Sequence, residues 1–196
     1  MTKLSGLTEQ DGRELLRLAR HALESHFGIA GKARATVVRT PDGVGGVFAT
    51  LKRDGELRGC IGYVLPNIDL KKTTERAVVA AATRDPRFTG VTVEELTTIQ
   101  ISISVLAEAI PVNDVEEIEI GRDGLVIERD GARGLLLPQV ATERRWGRHR
   151  FLAETCVKAG LTPESWNDAE TIIWRFASAQ FDEYSMDQRA ERYENG

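Results

Sequence analysis

The chain is poor in the side chains that most metal, redox and stacking chemistry draws on: 196 residues hold two cysteines, two methionines, three histidines and 6% aromatic residues. Cys60 and Cys156 are too few and too far apart to make a disulfide framework, and they read as free thiols in a reducing compartment. His21 and His26 would point about 140° away from each other on a helix, which makes no ligand pair. CxxC, HExxH and Walker-type loops are missing, and DGVGGVF lacks the flanking order of a dinucleotide fingerprint, so its glycines mark a turn. Neither a metal nor a cofactor is expected from such a chain. No apolar run approaches membrane-spanning length and MTKLSGLTEQDGREL has no apolar core of a signal peptide, so a cytoplasmic protein without a membrane partner is expected. Surplus positive charge is missing too: a net charge of -4 opposes long-range attraction to nucleic-acid phosphates.

What is present is ordinary globular composition, 41% hydrophobic and 29% charged, enough for a single domain over residues 1–185 with a polar tail at 186–196 that has little to bury. Thr8 and Asp11 open a capped helix whose Leu15, Leu18, Ala19, Ala22 and Leu23 form one stripe before Gly28 stops it. ARATVVR reads as a strand. GGVFATLKRDGELRGCIGYVLP reads as a hairpin turning at Asp54-Gly55. Asp69 caps a second helix that Asp85-Pro86 closes, and Thr92 with Glu95 makes a capping-box pattern for a short turn. ISISVL alternates as a strand, and its serine face either meets water or lines a polar cavity.

A second hairpin turns at Asp130-Gly131. RDGELRG and LP in the first half correspond to RDGARG and LP in the second, a weak sign of a duplicated hairpin-then-helix unit. RHRFLAETCVKAGL reads as a helix that buries Cys156, and TIIWRF as a last strand. Arg144, Arg145, Arg148 and Arg150 cluster around Trp146, the one stretch suited to nucleic acid; a solvated loop is the alternative, and nucleic acid stays an unlikely partner for an acidic chain.

In LRGCIG, strand alternation puts Arg58 and Cys60 on one face, with Gly59 and Gly62 leaving room for a backbone or a ligand. A guanidinium beside a sulfur favours the thiolate, the attacking form. Beside that stands the packing reading, because free cysteine most often behaves as a small buried hydrophobe.

LRGCIG, AAATRDPRF, ISISVL, GLLLPQVA and FLAETCVKAGL with Trp166 beyond it, in that order, resemble the AMMECR1 family over nearly the whole chain. The resemblance implies an α+β fold with duplicated hairpin-plus-helix units around a barrel-like, strongly curved sheet, in larger and smaller parts with a cleft. It also implies Memo-like proteins and radical SAM enzymes as partners in a shared pathway, and an unidentified small molecule as ligand. The matching positions are Arg58, Gly59, Cys60, Gly62, Asp85, Arg87, Phe88, Ser104, Gln139 and Lys158. On this resemblance Cys60 is a nucleophile or substrate-contacting thiol, Arg58 and Arg87 lower its pKa or hold an anionic group, and Gln139 orients a carbonyl or water. Gly59, Gly62, Asp85, Ser104 and Lys158 would complete the binding. The plain alternatives make DPRF a helix stop with a surface ion pair, LPQV a turn and Lys158 a charge at a helix end. Two departures are Tyr63, where a smaller residue is usual, and RRWGRHR in place of a more acidic stretch. A non-catalytic adaptor and a nucleic-acid-binding regulator are the competing functions.

Overall fold

The structure, a computed structural model, describes residues 6–31, 38–64 and 68–184. The expected strand at ARATVVR falls mostly, and the tail 186–196 wholly, outside them. The fold is α+β. Four α-helices are described, α1 (Glu9–His26), α2 (Leu70–Thr83), α3 (Pro138–Glu143) and α4 (Arg148–Lys158), with seven strands. The strands are β1 (Val44–Arg53), β2 (Glu56–Val64), β3 (Ile99–Ala107), β4 (Ile110–Pro111), β5 (Asp123–Arg129), β6 (Ala132–Leu136) and β7 (Ile172–Asp182). The chain divides into two compact units. Among the described residues no helix is long and apolar enough to cross a membrane.

The first unit comprises the described residues of Ser5–Val105 and Ala179–Gly196. Thr8 and Asp11 cap each other's backbone N–H at the start of α1, and Leu15, Ala19 and Leu23 are fully buried, as the spacing predicts. Asp69 caps α2 through the Lys72 N–H. The β1–β2 hairpin turns where Asp54 and Gly55 both take positive φ, 53° and 82°, the two-residue geometry whose twist matches its strands. Its register slips between Leu51 and Lys52: Lys52 pairs with Leu57 but Leu51 with Gly59, so Arg58 is an extra residue without an opposite number. That is a β-bulge, and it bends the hairpin and re-aims the side chain at the bulge.

The second unit is built from Leu106–Ser178. β5 and β6 turn at Asp130 and Gly131 with φ of 51° and 81°, and β7 pairs with both β4 and β5. Leu125, Ile127, Phe151, Leu152, Cys156 and Ile173 make its apolar core. Here β7 differs from the expected TIIWRF. It runs on to Asp182 and buries Ile173 and Phe176 while Ile172 is exposed, and Phe176 is buried where it lies over Gly124 of the neighbouring strand. Cys156 is fully buried, and burial is the main cause raising its thiol pKa.

The hairpin-then-helix unit is used twice, and one packing device recurs. A Cβ on Gly59 would overlap the carbonyl oxygen of Ala81 in α2; a Cβ on Gly134 would overlap the Ala159 nitrogen and the Thr155 carbonyl oxygen of α4. Gly59 pairs with Leu51 and Gly134 with Ile127, each two residues before the arginine that enters its Asp-Gly turn. RDGELRG is one residue longer than RDGARG, and the extra residue is absorbed as the bulge at Arg58.

Candidate functional site

Cys60 sits on β2 opposite Thr50, half-buried, and the Thr50 hydroxyl donates to its sulfur at 3.4 Å. Its backbone N–H donates to Asp85 Oδ2 at 2.8 Å. Among the described strands β2 is an edge, in the order β2–β1–β3, and this bond satisfies one of its open N–H groups. Asp85, just beyond the end of α2, is more than a helix stop: its side chain is 3% exposed and it also takes the Arg87 guanidinium. Arg87 Nε donates to Oδ1 at 2.9 Å, Nη2 to Oδ2 at 2.7 Å, and the Arg87 backbone N–H to Oδ1 at 3.1 Å. The Arg87 side chain, the Cys60 N–H and the Arg87 N–H hold the Asp85 carboxyl far below the usual carboxylate range, against desolvation that works the other way. The Arg87 pKa is raised, by Asp85 first and with a contribution from Cys60.

Arg58 is not the thiol's partner. The bulge breaks the strict alternation that would set it beside Cys60, and its guanidinium is taken up elsewhere. Nε and Nη2 donate to Glu95 at 2.8 and 3.0 Å, and Nη1 and Nη2 to the carbonyl oxygens of Thr89 and Gly90 at 2.7 and 3.1 Å. Glu95 also accepts from Arg53 and from the Thr92 N–H, and these donors, Arg58 foremost, lower its pKa to about 2. Arg58 therefore straps the 85–90 segment along the edge of β2. The openings expected at the glycines are filled from within the protein: Gly59 by the Ala81 carbonyl and Gly62 by the Phe48 ring. Tyr63 lies on the Gly59 face of β2, away from the sulfur, with the Arg76 guanidinium 4.7 Å from its ring centroid.

Ser104 is 2% exposed while Gln100 is exposed, so the serine face of β3 meets water only at its start. Gln139 and Lys158 belong to the second unit, Gln139 in the first turn of α3 and Lys158 exposed in the last turn of α4. Two of the four arginines in the cluster are committed. Arg148 pairs with Glu116 and the Ile118 carbonyl, Arg150 with Glu154, and Trp146 packs against the apolar core. His149 stacks on Trp166.

Thr50 and Glu95 are the contributors that strand alternation does not reveal. A regular two-residue turn would pair Cys60 with Ala49; the bulge slides the register by one and brings Thr50 opposite. The usable signal was the one-residue length difference between the two RDG hairpins. Among the described residues no cluster of three or more His, Cys, Asp or Glu is placed to hold a metal.

The family model for AMMECR1 matches residues 16–181. A protein of Methanothermobacter thermautotrophicus is 43% identical over 195 residues, covering 92% of this chain and 98% of its own. A Methanocaldococcus jannaschii protein is 42% identical, covering 90% and 92%. The crystal structure of the uncharacterized protein PH0010 from Pyrococcus horikoshii is similar with a TM-score of 0.79 at 38% identity, covering 89% of this chain and 92% of that one.

Proposed function

This chain belongs to the AMMECR1 family, and from that premise we propose that its Cys60 thiol contacts a small molecule at a site formed by β2 and the Asp85–Phe88 turn, with Arg87 as the adjoining cation. The observation that carries this reading is the shared Asp85 Oδ2, which accepts from both the Cys60 backbone N–H and Arg87 Nη2 and so ties the residue with the half-buried thiol to the residue with the guanidinium. The fork on Asp85 orients Arg87 and neutralises the buried carboxylate, leaving the thiol as the nucleophilic atom of the group. Ser104, Gln139 and Lys158 enter the reading through the family resemblance alone. So do the Memo-like and radical SAM partners and the division by a cleft, while a cytoplasmic address rests on the sequence's want of a signal-peptide core and of a membrane-length apolar run.

Alkylation with iodoacetamide across a pH series tests the reading. Cys60 is expected to be modified in the native protein while Cys156 reacts only after unfolding, because Cys156 is sealed in the second core. Equal inertness of the two cysteines at every pH overturns it. Co-purification tests the partners: a complex that survives Cys60→Ala unchanged favours an adaptor in which LRGCIG is packing.

A further inference from the structure

Resting on that reading, we infer that the small molecule met by Cys60 carries a carboxylate, received by the outer edge of the Arg87 guanidinium. A guanidinium presents five N–H donors in a rigid planar fork, and a carboxylate takes two of them side by side. Asp85 occupies the inner edge through Nε and Nη2, and Nη1 takes no part in that fork. Nη1 and the second N–H of Nη2 form the outer edge. The burial is divided the same way, with the Asp85 side chain 3% exposed and that of Arg87 49% exposed. Asp85 also binds the Arg87 backbone N–H, which folds the side chain back on its own turn and fixes its direction before any ligand arrives. Phe88, 5.5 Å from ring centroid to guanidinium carbon, covers the cation on one side.

The same Asp85 oxygen binds the Cys60 backbone N–H, and Cys60 adds to the raising of the Arg87 pKa, so the residue that bears the thiol and the one that would receive the carboxylate meet at one oxygen. One guanidinium whose unit charge is already matched by Asp85, in a chain of net charge -4, offers its remaining donors to a single planar anion and opposes polyanions.

Iodoacetate and iodoacetamide separate this inference from the reading it rests on. Each reacts in the same way: the thiol proton passes to solvent, the sulfur forms a bond to the methylene carbon, and iodide leaves with the electrons of the broken carbon–iodine bond. Both need the same thiolate, so the ratio of their rates reports recognition of the carboxylate and not the thiolate fraction.

On native Cys60 the iodoacetate-to-iodoacetamide ratio is expected to stand about tenfold above that of the unfolded chain, the scale of one charge-assisted hydrogen bond. It should fall to the unfolded value in Arg87→Gln, persist in part in Arg87→Lys and shrink with added salt. Brisk iodoacetamide labelling with an unfolded-like ratio overturns the carboxylate and leaves the reactive thiol standing. Inertness to both reagents removes both. Should Arg87→Gln fail to fold, acetate protection of the wild-type protein decides the matter: saturable slowing of iodoacetamide labelling is expected, and its absence overturns the inference.

Discussion

Glu95 ties two arginines and a backbone N–H to one half-buried carboxylate, and its charge is therefore worth more folded than unfolded. Its folded pKa lies below its ordinary value, so this stabilisation is complete above about pH 4.5 and is lost as the pH falls toward about 2. Glu95→Gln is expected to lower stability by about 1–3 kcal/mol at neutral pH. The deficit should narrow with acidification in urea unfolding followed from neutral pH downward; a deficit that stays constant contradicts the assignment. Asp85 acts with the same sign, its charged form favoured by Arg87, the Cys60 N–H and the Arg87 N–H. Arg58 and Arg87 illustrate how far residue-level reading reaches. Both appear in the sequence as cations close to Cys60 in the family pattern, but a bulge that no propensity marks sends Arg58 to Glu95, while Arg87 shares an Asp85 oxygen with the Cys60 N–H.

At the scale of elements, the two hairpins share a requirement for a residue without a side chain where a helix meets the second strand. Gly59→Ala and Gly134→Ala both drive a methyl into helix backbone, which cannot step aside as a side chain can, and each is expected to cost at least about 2 kcal/mol. Gly62→Ala meets only the Phe48 ring and should cost less, while Gly31→Ala, with open space around it, should be within about 0.5 kcal/mol of wild type. Thermal or urea unfolding of the four variants checks the order; Gly59→Ala as mild as Gly31→Ala would remove the packing device. Most elements were legible because their determinants are local: the Thr8–Asp11 box, the Asp69 cap, the two Asp-Gly turns and the alternation of β3. The length of β7 was not, since its pairing with β5 and the burial of Phe176 over Gly124 are long-range.

For the whole molecule, charge and packing oppose nucleic-acid binding together. The chain is net negative, Arg148 and Arg150 are paired with carboxylates, and Trp146 belongs to an apolar core instead of offering a face for base stacking. No salt-dependent binding to DNA or RNA is expected at low ionic strength, and the double change Arg144→Glu with Arg145→Glu should alter nothing in a mobility-shift titration. Binding that weakens with salt and is lost in that variant would restore the basic loop as an interface.

Most of the described helices and strands and the repeated hairpin followed from sequence alone, because caps, turns and apolar periods act between residues close in the chain, and the family followed from its five ordered motifs. Tertiary structure decided what surrounds Cys60. Asp85 reaches it across 25 positions and Glu95 draws Arg58 away across 37, contacts that exist only once the 85–95 segment is laid along the edge of β2.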